Sequence, residues 1–325
     1  ARTPVLPSSE RRSARHVSRE ARASFALAGA ALFWSGNFIA GRALRNDIDP
    51  ITLNLLRWAL CLAIFLPWVG PKAWRCRSIV VREWRLLLGL GITGIAAFQT
   101  LVYLALASTT AINALLILSL APAAILIGAS LTGRRRPSRM QWAGTLVSLA
   151  GACILVARGN PALLLNLSPA RGDLWMIVAV VLWAAYSLLL RRRPADLPQD
   201  VALAASIVPA VALLLALRAI VSHAPVLPTP PLVGALIYVA IFASLFAFLL
   251  WSYGVSTIGP ERAGQYVHLM PVFGTLLAIE VLGERLALAQ VLGALVVLAG
   301  IALVQRRSAR PDADPPEERA TRRII

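Results

Sequence analysis

Acidic residues are scarce in this 325-residue chain: Asp and Glu number 15 against 32 Lys and Arg, and none occurs between Glu83 and Asp173. Without an acidic pair among the apolar stretches, a sodium site or a steep proton pump has no ligands to use. Cysteine is nearly absent. Cys61, Cys76 and Cys153 form neither a CxxC pair nor an even disulfide set, and two of them sit as small core residues inside apolar runs. The three histidines, His16, His223 and His268, lack metal-ligand spacing. No HExxH, Walker A or GxSxG pattern is present. No catalytic residue, metal or cofactor is therefore expected. Charged residues make up 14% of the chain, against about 25% in soluble domains.

Hydrophobic residues, by contrast, make up 58% of it, and mean hydropathy is +0.72. A soluble fold of this size cannot hide that much apolar surface. The polar residues concentrate at the two ends, which excludes general disorder. A bilayer core of about 30 Å needs roughly 20 apolar residues in a helix. Runs of that kind lie near 24–44, 51–70, 85–106, 110–131, 139–157, 172–190, 201–221, 232–254, 262–282 and 287–305. They are numbered as spans one to ten. Turn residues separate them, among them Asp49-Pro50, Gly70-Pro71, Gly133 with Arg134 to Arg136, and Gly259-Pro260. Between spans three and four only Ser108 and Thr109 mark a turn. Continuous apolar runs exclude the alternating pattern of a barrel.

The net charge of +17 is a topology signal. Six arginines fall in the first 22 residues, without the apolar core of a secretory signal, and read as a solvated basic tail. Lys72, Arg75, Arg77, Arg82, Arg85, Arg134 to Arg136, Arg139, Arg191 to Arg193, Arg306, Arg307 and Arg310 cluster at the same set of ends. The opposite ends hold only single arginines. The positive-inside rule places both termini in the cytoplasm. A nucleic-acid surface is excluded, because the basic residues sit in short loops.

The chain is also written twice. Trp34 and Trp183 lie 149 positions apart, and the same offset links Arg42 with Arg191, Ala114 with Ala263, and Pro122 with Pro271. It also links Gln141 with Gln290, Gly144 with Gly293, and Gly151 with Gly300. Each half then holds five spans. An odd number forces the second half to enter the membrane upside down, which is the inverted repeat of many secondary transporters. The fold expected is an all-α integral membrane protein of ten helices in a 5+5 inverted-topology repeat. Its parts are a basic tail 1–23, a first repeat 24–157, an extracytoplasmic linker 158–171, a second repeat 172–306 and a tail 307–325.

Several stretches resemble one family. Trp34-Ser35-Gly36-Asn37-Phe38 is similar to its W-G-x-N-F signature, with Ser35-Gly36 departing from the usual order. Pro50 followed by Leu56-Arg57-Trp58 resembles its second-span pattern. Tyr103-Leu104-Ala105-Leu106, Leu120-Ala121-Pro122, Gly172-Asp173-Leu174 and Gly283-Glu284-Arg285-Leu286 resemble further stretches. Together, over about 24–306, they resemble the drug/metabolite transporter superfamily in its EamA-type branch, most of all its bacterial aromatic amino-acid exporters. The resemblance implies a basket of ten helices. Its central cavity would be lined by spans one, three, four, six, eight and nine, with spans five and ten packed at the back. Independently, Gly144 and Gly151 share one helix face, as do Gly293 and Gly300, so backbones can approach there.

Polar side chains at membrane depth must face the bundle interior or a cavity. On that ground Trp34, Asn37, Gln99, Tyr103, Asn113, Trp183, Tyr186, Ser244, Trp251 and His268 are the candidate cavity residues. Aromatic rings with a few amides and hydroxyls suit a small amphipathic or aromatic metabolite. Trp58, Trp68, Trp74, Trp84, Trp142 and Trp175 lie near span ends, as interfacial belts do. Arg57 lies about two turns into span two, where a structural role weighs at least as much as contact with substrate. Gly89 to Gly94 spells G-x-G-x-x-G, but inside an apolar helix with no following acid. Those glycines serve helix packing or bending there rather than a dinucleotide. Pro122 and Pro271 each remove a helical hydrogen bond, so each span should bend at midplane, beside Asn113 and His268, as a paired hinge.

The function expected is export of amino acids, aromatic ones included, and related metabolites through alternating access across the bacterial inner membrane. The expected partners are a small-molecule substrate and the lipid bilayer, without nucleic acid, for a chain working as a monomer. A channel or lipid scramblase is the alternative. A polytopic membrane enzyme lacks the clustered Asp, His or Glu it would need.

Overall fold

The structure is a computed structural model that describes residues 8–132, 136–165, 168–221, 228–282 and 287–306. The first helix, α1 (Ser8–Ala43), starts well before the expected boundary at 24. No proline lies between Pro7 and Pro50, and the Arg-, Ala- and Glu-containing tail is a good helix former, so the span simply continues into it. Helix α2 (Pro50–Arg75) begins at a proline behind the Asp49 cap, whose Oδ1 accepts from the Thr52 N–H at 2.9 Å. It runs through Gly70-Pro71, where a break was expected. Two interior prolines, Pro67 and Pro71, cost hydrogen bonds without ending the helix.

A short α3 (Arg77–Arg82) leads to span three, which has three parts. These are α4 (Trp84–Leu90), a π-helical segment Gly91–Ala97, and α5 (Phe98–Ser108). The turn at Thr109 is real: its backbone is extended, and the Thr110 hydroxyl caps α6 (Ala111–Leu118) by accepting from the Asn113 N–H. Span four resumes as α7 (Ala121–Leu131), and α8 (Arg139–Val156) follows. The linker holds one turn, α9 (Ala162–Leu165).

In the second half come α10 (Arg171–Leu190), α11 (Gln199–Ile220) and α12 (Pro230–Tyr238), then a second π segment, Val239–Phe246, and α13 (Ala247–Ile258). Next are α14 (Pro260–Ala263), a 3-10 segment Gly264–His268, α15 (Leu269–Leu282) and α16 (Leu288–Gln305). Among the described residues, nine helices are long and apolar enough to cross a membrane. Span nine, expected over 262–282, is instead divided between α14, the 3-10 segment and α15. The Gly283 to Leu286 motif, His223, and most of the Gly133 to Arg136 loop lie outside the described residues.

The 149-residue offset governs the backbone as well as the letters. It carries α2 onto the start of α11, α5 onto the start of α13, and both ends of α8 onto those of α16. The first π segment falls on the second, and the break after Leu118 falls on the 3-10 segment ending at His268. The repeated glutamines now have a reason. Gln141 accepts from the Ser138 N–H and Gln290 from the Ala287 N–H, at 2.8 and 2.9 Å, so each closes the first turn of its helix.

Packing follows the same symmetry. The main helix contacts pair α8 with α16, α2 with α11, and α1 with α13, whose repeat counterpart is α10 with α5. The halves therefore interlock rather than sit side by side. Along α8 and α16 the four glycines face one another. A Cβ on Gly144 would stand 2.7 Å from the Gly300 carbonyl, and one on Gly151 would stand 2.8 Å from that of Gly293. Large apolar side chains such as Phe25, Leu131 and Ile220 lie on the outside, as a lipid-facing surface requires.

Candidate functional site

The centre of the bundle is aromatic. The repeat mates Trp34 of α1 and Trp183 of α10 meet edge to face, with ring centroids 5.0 Å apart at 89°. Trp251 closes the triangle at 5.4 Å from Trp34 and 5.1 Å from Trp183. Phe98 lies 4.7 Å from Trp183, and Tyr186 5.2 Å from it on the same helix. Tyr186 fits because Gly94, in the first π segment, leaves its ring room. The glycines of the G-x-G-x-x-G stretch thus serve packing.

Beside the rings lies a cavity of about 20 Å³, room for a water molecule. Its walls include Trp34, Asn37, Phe98, Gln99 and Trp183, with Leu118 and Val267 from the two broken spans. Leu118 and Val267 are themselves repeat mates, so the cavity sits on the axis relating the halves.

Behind Asn37 and Gln99 stands Arg57, with no surface exposed. Its Nη1 donates to Asn37 Oδ1 at 2.9 Å, Gln99 Oε1 at 3.0 Å and Tyr103 Oη at 2.8 Å. Nε donates to Ser244 Oγ at 2.5 Å, and Nη2 to the Ala243 carbonyl at 2.8 Å. The guanidinium also lies over Trp58, 5.4 Å from its centroid. Tyr103 in turn donates to Asn37 Oδ1 at 2.8 Å.

The π segments make these contacts possible. A π turn shifts the usual backbone pairing and turns carbonyls toward neighbours. Ala243 in the second segment accepts from both Arg57 and the Trp34 indole, the latter at 3.1 Å. Ile95 and Ala96 in the first accept from the Asn54 amide, both at 3.1 Å. One stripe of α2 thus reads the distorted backbone of both halves.

Of the residues singled out in the sequence, Trp34, Asn37, Gln99 and Trp183 line the cavity, and Tyr103, Tyr186, Ser244 and Trp251 contact them or Arg57. His268 lies one residue from the cavity wall at Val267, in a separate network. Its Nε2 bonds the Ser119 carbonyl at 2.8 Å, and its Nδ1 the Ser148 hydroxyl at 2.7 Å. Asn113 is held elsewhere. Its amide donates to both oxygens of Asp173, at 3.2 and 3.1 Å, and to the Ser168 carbonyl. It sits in the capped first turn of α6, and Asp173 in that of α10, so the contact ties two helix starts together. Pro122 and Pro271 stand at the beginnings of α7 and α15, so each span is interrupted rather than merely bent. Trp58 is no belt residue: it is fully buried, edge to face with Phe248 at 4.9 Å.

The EamA-like transporter family matches the chain twice, over residues 21–157 and 170–306. An uncharacterized transporter of Archaeoglobus fulgidus is 27% identical over 278 residues, covering 85% of this chain and 95% of that protein. A protein of Streptantibioticus cattleyicolor named "Probable terminal-alkyne amino-acid exporter" is 25% identical over 313 residues, covering 92% of this chain and 99% of its own. A crystal structure at 23% identity aligns with a TM-score of 0.72 over 87% of this chain and 96% of the other, a likeness of fold. Both halves match the same family and relatives align along nearly their whole length, so the chain belongs to the EamA-like transporter family of the drug/metabolite transporter superfamily and is a membrane transporter, not an enzyme.

Proposed function

We propose that this transporter exports amino acids, aromatic ones included, and related small metabolites across the inner membrane by alternating access. The observation that carries the reading is the cavity between the repeats, where Trp34, Trp183 and Phe98 supply ring faces and Asn37 and Gln99 supply amides. Rings stack on an aromatic cargo for about 0.5–1.5 kcal/mol per pair beyond buried area. The amides orient its polar end. One relative carries the name of an amino-acid exporter, which points the same way. Admitting such a cargo requires the walls to part, since ligand pockets are typically about 300 Å³ or more.

The test is counterflow of labelled phenylalanine into proteoliposomes holding the purified protein. Saturable exchange, competed by tryptophan better than by alanine, is the expected result. Unsaturable flux would mean a channel or scramblase, and no flux would end the amino-acid reading. Both termini belong on the cytoplasmic side in this scheme, on the strength of the arginine distribution.

A further inference from the structure

Arg57 is a full positive charge at the middle of the bundle, and each hydrogen-bond partner given above is neutral: two amides, two hydroxyls and a backbone carbonyl. An arginine at the centre of a span is costly to insert, so such residues are kept where they pair or serve a substrate path. A guanidinium that only fastened helices together would be best served by a carboxylate. The sequence places no Asp or Glu between Asp49 and Glu83, between Glu83 and Asp173, or between Asp200 and Glu261. These intervals cover the interiors of spans two, three and eight, and span one, which supplies Asn37, holds no acid between Glu20 and Asp47. Spans one, three and eight supply the partners of Arg57.

The acceptors are also oversupplied. Nη1 has two N–H bonds, yet three oxygens stand within 3.0 Å of it. One can leave without stranding the charge. Two of the three belong to Asn37 and Gln99, the amides that face the cavity. Next to the same rings, the Trp251 indole N–H is 1% exposed and has no partner. A buried donor without an acceptor in the ring cluster, together with an over-coordinated cation behind the amides of the same cavity, is what an anion site looks like when neutral stand-ins hold it closed.

We propose that Arg57 is the anion-recognition group of this transport site: the cargo's carboxylate displaces the Asn37 and Gln99 amides and pairs with the guanidinium. The proposal rests on the transport reading above and gives its substrate class a chemical definition. The class is small aromatic or apolar carboxylates. An α-ammonium is tolerated against the faces of Trp34 and Trp183 but not required, because no acid is there to read it. Amino acids qualify through their carboxylates, as do des-amino acids of similar shape.

The pair 3-phenylpropionate and 3-phenylpropanamide has the same size and differs in charge. Binding of each to the purified protein is followed by quenching of tryptophan fluorescence. The acid should bind at least about tenfold tighter than the amide, the loss expected when a charge-assisted pair goes unmade. Equal affinities would overturn the proposal. Asn37→Asp places a carboxylate on Nη1 permanently. It should erase the preference for the acid while leaving the melting temperature no lower. Gln99→Glu does the same from the opposite wall, should the first variant not fold. A preference for the acid retained in a folded variant would also overturn the assignment. Phenylalanine counterflow on the same preparation separates the two readings. Its absence with the acid preference intact ends amino-acid export alone; its presence without that preference ends the role of Arg57.

Discussion

Trp183 touches five rings, those of Trp34, Phe98, Tyr186, Phe248 and Trp251. Truncating it to alanine empties the centre of the cluster, whereas phenylalanine keeps most of the ring surface. Trp183→Ala is expected to lower phenylalanine counterflow by about tenfold or more, and Trp183→Phe by about threefold. Both should elute as folded protein. His268 offers a second test at this scale. The Ser119 carbonyl only accepts, so Nε2 carries the proton and Nδ1 accepts from the Ser148 hydroxyl. His268→Leu takes the donor from the Ser119 carbonyl, while the Ser148 hydroxyl still reaches the Thr145 carbonyl at 3.2 Å. It should cost about 1 kcal/mol, read as a lower melting temperature in detergent. Trp58 shows why side-chain placement outruns sequence reading. Its distance from the span end suggests an interface, yet it continues the buried stripe of Asn54, Cys61, Phe65 and Val69 on α2. Helical phase decides its place, and depth does not.

The α8–α16 pair is the element whose packing is most exposed to test. Backbone carbonyls lie where a Cβ would go at Gly144 and Gly151, and backbone cannot rotate aside as a side chain can. Gly151→Val should force the helices apart and lower thermal stability by about 1–3 kcal/mol. Gly234→Ala and Gly274→Ala are the matched controls, because nothing stands within 4 Å of either added Cβ. They should leave stability within about 0.5 kcal/mol. The spacing of these glycines was legible because every seventh residue returns to the same helix face. The π segments were not. Glycines at 89, 91 and 94 hint at irregular backbone, but the second segment, Val239–Phe246, contains no glycine and packs against α2.

Across the whole molecule, the two broken spans meet. His268 in the second half bonds the carbonyl of Ser119, its own repeat mate at the break in the first half. Closing one side of an inverted repeat while opening the other would move these two breaks together. Pro122→Ala and Pro271→Ala should each free the backbone at the start of α7 and α15 and bias the protein toward one face. Cysteine accessibility from each side of the membrane, with and without substrate, reads that bias. Unchanged labelling with full transport in both variants would show that the breaks shape the cavity and do not act as hinges.

Composition and periodicity determined the membrane class, the spans and the inverted repeat, because hydropathy and a constant offset are properties of the chain taken in order. The repeat also marked Trp34 and Trp183, since mates in an inverted repeat return to a common axis. Which polar groups share a site is a matter of distance between helices far apart in sequence. Only the folded bundle brings Arg57 from span two to Asn37, Gln99, Tyr103 and Ser244, which come from spans one, three and eight. Only the folded bundle sends Asn113 to Asp173 instead of the cavity. A single arginine in an apolar run states its cost in the sequence, but the partners that meet that cost are chosen by tertiary packing.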